Sequence, residues 1–131
     1  MSKHILIRSI VSTSMCAICS TLALSPVFAG DFPAGSYTAQ DLSLFFDAKG
    51  QFHVDNGGTT EVSGTYSVAQ GRVELTDVKG PWACKGSGQQ KGTYVWSFNG
   101  TALTFIKVAD TCDERFKTLV PASWQLQKRI S

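Results

Sequence analysis

The chain has 131 residues, 43% of them hydrophobic, with a formal net charge of +2. Lys3 and Arg8 lie in a segment, residues 1–29, that reads as a removable leader, and the 102 residues after it carry 10 basic against 10 acidic side chains. Neutrality argues against a basic nucleic-acid binder, which needs clustered Lys and Arg to neutralise phosphates, and the length allows one small domain.

The leader has a basic start, a largely apolar run from Ile10 to Leu24, and Val27-Phe28-Ala29 ahead of a cut that would leave Gly30 first. Ser12, Thr13, Ser14 and Ser20 interrupt the run and Pro26 ends it, short of the roughly 20 apolar residues of a spanning helix. The expectation is a signal peptide over 1–29 and one domain over 30–131, periplasmic or secreted, with no membrane span after cleavage.

Beyond Gly30 the pattern has a period of two. Ser36 to Ala39 opens it. Leu42, Leu44 and Phe46 then alternate with Ser43, Phe45 and Asp47, and Phe52 and Val54 with Gln51, His53 and Asp55. Val62, Gly64, Tyr66 and Val68 form the next apolar-side series, followed by Val73 and Leu75. Tyr94, Trp96 and Phe98, then Leu103 and Phe105, and finally Trp124 and Leu126 complete eight strands, each with one buried face. Asp47-Ala48-Lys49-Gly50 has the spacing of a type I turn, and Asn99-Gly100 is the pair favoured where both central residues need positive φ. Such short connections force antiparallel neighbours, and closure into an up-and-down barrel removes exposed edges. Gly35-Ser36-Tyr37, Gly64-Thr65-Tyr66 and Gly92-Thr93-Tyr94 recur at spacings of 29 and 28, each opening a strand–turn–strand unit.

Two segments depart from alternation. Residues 79–91 form the longest connection and carry Trp82 and Cys84. Residues 111–120 read as a short helix before the last strand: Thr111 and Glu114 have capping-box spacing, Phe116, Leu119 and Val120 make an apolar face, and Pro121 ends it. Cys16 and Cys19 leave with the leader, so Cys84 and Cys112 remain to form one disulfide in an oxidising compartment. It would join the long loop to the helix as a fixed lid at one rim, with any cavity beneath it.

The G-[ST]-Y hairpins, the eight short strands, the late helix and the closing strand at Trp124 resemble the calycin superfamily, specifically small bacterial lipocalin-like secreted proteins. Gly80 through Cys84, Gly92 through Trp96, and Asp110 through Arg115 carry most of the likeness. It implies an all-β, eight-stranded antiparallel up-and-down barrel able to hold a small hydrophobic molecule at its open end. The chain departs from full lipocalins in having Gly35-Ser36-Tyr37 where they have G-x-W.

An eight-stranded barrel is just wide enough to be filled by side chains or to hold one small ligand. Its expected inward face is rich in aromatics: Phe46, Phe52, Tyr66, Tyr94, Trp96, Phe98, Phe105 and Trp124. Phe52, Tyr66, Tyr94, Trp96 and Phe105 are the candidate ligand-binding residues, with Arg115 at the mouth for an anionic head. The alternative is a filled barrel that binds an exported protein, or inhibits an enzyme, through the 79–91 loop with Trp82 as anchor. No catalytic motif is present: there is no G-x-S-x-G and no phosphate-cradling glycine loop. No cofactor is implied. No metal site is expected either, His53 being the sole histidine after the leader and falling on a polar face. Asp110, Asp113 and Glu114 are explained by the helix N-terminus they precede or begin. Outward Phe45, Val78 and Val95 would favour a protein partner if they merged with Trp82 into one patch.

Overall fold

The computed structural model describes residues 32–130; the leader expected at 1–29 lies outside them. The chain runs β1 (Gly35–Ala39), β2 (Leu42–Phe46), β3 (Gln51–Asn56), β4 (Thr59–Ala69), β5 (Arg72–Lys79), β6 (Lys91–Phe98), β7 (Ala102–Ala109), α1 (Asp113–Leu119) and β8 (Trp124–Arg129). Each strand pairs antiparallel with the next, and β8 returns to β1, closing the barrel. The alternation in sequence is thus the inside and outside of a cylinder. The closure is uneven: seven residue pairs join β4 to β5, whereas Ala102↔Gln125 and Leu103↔Trp124 alone join β7 to β8.

The turns follow from their residues. Asp47 Oδ1 accepts the backbone N–H groups of Lys49 and Gln51, both at 2.8 Å, and Gly50 takes a φ of 89°, so the expected turn forms. The bend at Asn99-Gly100 differs from expectation. Gly100 has a positive φ but Asn99 does not; its side-chain Oδ1 instead accepts from Thr101 N and Ala102 N, a turn held by the amide.

Glycine and tyrosine in the repeated G-[ST]-Y units have separate jobs. A Cβ on Gly64 would collide with the backbone carbonyl of Thr76, and one on Gly92 would stand 2.6 Å from Asp110 Cγ and 2.9 Å from Arg115 Nε. Two residues on, and so on the same face of the strand, each tyrosine turns inward and donates its hydroxyl. Tyr37 donates to Pro33 O, Tyr66 to Asp47 O, and Tyr94 to Asp110 Oδ2.

The core fills the barrel. Tyr37, Leu44, Phe46, Val73, Tyr94, Leu103 and Trp124 are fully buried, with Phe52, Leu75 and Phe105 nearly so. At the end formed by the 47–50, 70–71 and 99–101 turns, Phe32 plugs the interior. Its ring lies 4.9 Å from Phe46, 5.3 Å from Tyr66 and 5.2 Å from Trp96.

Helix α1 and the 80–90 loop occupy the opposite mouth. Cys84 and Cys112 form the expected disulfide, which closes a 28-residue separation and contributes about 3.5 kcal/mol on chain-entropy grounds. The helix is shorter than its sequence pattern suggests, and its N-cap is Cys112 rather than Thr111. The bridge holds Cys112 extended at φ −92°, where its Sγ accepts Arg115 N, while Thr111 Oγ1 is drawn to Gly88 O. Asp113 and Glu114 in the first turn and Lys117 in the last complement the helix dipole. Behind the helix, Trp124 Nε1 donates to Leu119 O at 3.2 Å, anchoring its end to the core. No helix among the described residues is long and apolar enough to cross a membrane.

Candidate functional site

Beneath the lid the barrel interior does not quite close. A cavity of about 100 Å³ is walled by Phe52, Val54, Val62 and Leu75 from β3, β4 and β5, and by Leu119 from α1. Trp82 of the loop and Thr118 and Glu114 of the helix stand at its edge, with Asp77 and Arg115 on its polar side. The residues follow from geometry: inward positions at the ends of three neighbouring strands meet one face of a helix laid across them.

Arg115 organises the polar side. Its Nε and Nη2 grip Asp110 in a bidentate pair at 2.7 and 2.8 Å, and Nη1 lies 2.9 Å from Asp77 Oδ2. Nη1 and Nη2 also donate to the carbonyls of Gln90 and Gln89, at 3.1 and 2.7 Å. Those five contacts match the five N–H groups of a guanidinium, which leaves none for an anionic ligand. The carboxylates also accept from the backbone: Cys112 N donates to Asp110 Oδ1 and Cys84 N to Asp77 Oδ2, both at 2.8 Å. Thus both disulfide cysteines and the 89–90 backbone are tied to one buried guanidinium.

The titration tendencies reflect this packing. Burial pushes the Tyr94 phenol far above its ordinary range, and its bond to the Asp110 carboxylate adds to the shift. For Asp110, burial alone would raise the carboxyl, but the hydrogen bonds from Arg115, Tyr94 and Cys112 N outweigh it and hold the group below the usual value of 3.8. Arg115 stays charged: burial opposes the cation, and Asp110 and Asp77 more than offset it.

Of the residues expected to bind a ligand, the fold brings Phe52 and Arg115 to this cavity, together with Trp82 from the alternative reading. Tyr94 and Phe105 lie in the packed middle, rings 6.1 Å apart. Tyr66 and Trp96 meet at the far end around Phe32. No acceptor among the described residues reaches the buried Trp96 Nε1. Val54, Val62, Leu75, Asp77 and Leu119 belong to the cavity but were not singled out from sequence. Asp77 carried a signal, because it continues the inward series Val73, Leu75 as a charged residue on a buried face.

Outside the barrel, His53 stacks on Phe45 at 5.0 Å and its Nε2 lies 3.7 Å from Asp55 Oδ2. Phe45, His53 and Val78 line a shallow outer groove, whereas Trp82 lines the mouth, so the two apolar features are separate. No family model, curated protein or solved structure matches the chain.

Proposed function

We propose that this chain is an exported, lipocalin-like barrel of the calycin superfamily that binds a small hydrophobic molecule in the cavity at its lidded mouth. The observation that carries this reading is the apolar chamber between Phe52, Val54, Val62, Leu75 and Leu119. At about 100 Å³ it is smaller than the roughly 300 Å³ at which ordinary ligand pockets begin. It is nearer the roughly 150 Å³ of an apolar cavity that takes up benzene. The occupant is accordingly a compact apolar group, desolvated among these side chains, while the disulfide-fixed lid limits how far the mouth can widen. The basic-then-apolar leader pattern and the Cys84–Cys112 bridge support export.

The test is mass spectrometry of protein recovered from the exported fraction, followed by titration of the stripped protein with small apolar compounds while Trp82 emission is followed. A co-purifying molecule, and its loss when Leu75→Trp fills the chamber, is the expected result. Protein that carries nothing and responds to no such compound overturns the reading.

One observation favours a second reading, an exported protein-binding module or enzyme inhibitor. The inward side chains of the barrel are largely buried, and Trp82 remains 37% exposed on a loop stapled by the disulfide. Aromatic anchors on rigid supports dominate protein interfaces. Trp82→Ala should then abolish capture of an exported partner with the melting temperature unchanged; capture that survives the substitution rules this version out.

A further inference from the structure

The charge lining the cavity is unbalanced, with Asp77 and Glu114 against Arg115. Arg115 contributes one positive charge, but it faces two carboxylates, Asp110 and Asp77, whose side chains are 0% and 3% exposed. Five protein contacts already occupy its donors. Glu114 adds a further carboxylate at the edge of the cavity, while no lysine lines it. The Lys107 ammonium is turned over the ring of Phe116, 3.9 Å from its centroid, and Lys91 pairs with Glu74.

We infer that the cavity selects an apolar group that carries a positive charge, a small alkyl or aryl ammonium compound, and rejects the carboxylate of the same size. This rests on the proposed function above and specifies its ligand class. The physical reason is twofold. An anion entering here would meet excess negative charge in a partly desolvated site and find no free guanidinium donor, despite Arg115 being on the cavity wall. A cation with its alkyl group among Leu75, Val62 and Phe52 would leave its N–H donors beside Glu114 and the Asp77–Arg115 side of the chamber. Opposite charges attract more strongly beside Asp77, whose side chain is 3% exposed, than in bulk water.

The matched probes are n-butylamine, n-butanol and butyrate, compared at pH 7 and low salt on the full exported chain by NMR titration, which reports both affinity and location. The amine is expected to bind about tenfold more tightly than butyrate, a difference of about 1.4 kcal/mol, with butanol between them. Shifts should concentrate at Leu75, Val62 and Leu119. Glu114→Gln should weaken the amine by roughly threefold, as for an exposed charge pair, and so narrow its advantage over butanol. Raising the salt concentration should erode the amine's advantage alone. If all three bind equally, or butyrate binds best, the charge selection is wrong and the apolar cavity reading stands. If none binds, both fall.

Discussion

Arg115→Met is the substitution that most directly tests the architecture of the mouth. It keeps a linear apolar stem but removes a guanidinium whose side chain is 5% exposed, stranding Asp77 and Asp110 in the interior together with the carbonyls of Gln89 and Gln90. Breaking a buried pair by deleting one partner costs about 3–5 kcal/mol, a large share of the roughly 5–15 kcal/mol that stabilises a small domain. For a domain of about 100 residues, unfolding entropy is about 0.2 kcal/mol per degree, so the melting temperature should fall by about 15–25 °C at pH 7. The pH dependence gives a sharper test. In the wild type the depressed Asp110 carboxyl contributes stability that is present above its unfolded value of 3.8 and is lost as pH falls through the folded value. In the variant Asp110 loses the guanidinium while its burial still favours the protonated carboxyl, so protonation should return part of the lost stability as pH is lowered from about 7. Calorimetry across this range should show the gap between the two proteins narrowing toward acid. A variant that melts within about 5 °C of wild type at pH 7, or a gap that does not change with pH, would refute the assignment of Arg115 as the buried hub.

Three further outcomes are expected. Reduction, or the Cys84→Ala/Cys112→Ala pair, should remove about 3.5 kcal/mol of stability and increase hydrogen exchange in α1 and the 80–90 loop before the strands; equal loss throughout the barrel contradicts the lid role. Gly92→Ala should cost at least about 1–3 kcal/mol by chemical denaturation, because the new methyl would press on Asp110 and Arg115, and combining it with Arg115→Met should be less than additive. Burial pushes the Tyr37 phenol up to about 12. Stability due to that group should therefore be intact below about pH 10 and decline as pH rises toward 12, which ultraviolet titration alongside circular dichroism would reveal; a Tyr37 titrating near 10 in folded protein refutes its burial.

Alternation in the sequence predicts eight strands with one buried face each, and the short connections with the need to remove exposed edges point from there to a closed barrel. It also predicts the lid, since two cysteines in the two irregular segments leave a single bridge. Parity does not say how far along the axis a residue lies. For this reason Phe52, Tyr66, Tyr94 and Trp96 look alike in sequence although Phe52 faces the mouth, Tyr94 is locked to Asp110, and Tyr66 and Trp96 surround Phe32. Phe32 itself precedes the first strand and has no periodic context to mark it as a plug. The Arg115 network joins residues from β5, the 80–90 loop, the β7–α1 connection and α1, so no local spacing could reveal that its donors are occupied. The repeated Gly-Thr-Tyr at Gly92 did mark the place, though only the packed geometry explains why a side chain cannot stand there.

A cylinder with a single short seam has a preferred place to breathe. Past Leu103, most of β7 has no partner in β8, and the two pairs that remain, Ala102↔Gln125 and Leu103↔Trp124, are few teeth for a zipper. Transient parting there would loosen the final strand and the end of α1, while the 80–90 loop stays tied to Glu61 and Asp77 and the long β4–β5 ladder is undisturbed. The Leu126 amide proton, which is donated across this seam to Thr101 O at 2.7 Å, should therefore exchange ahead of those in β4 and β5.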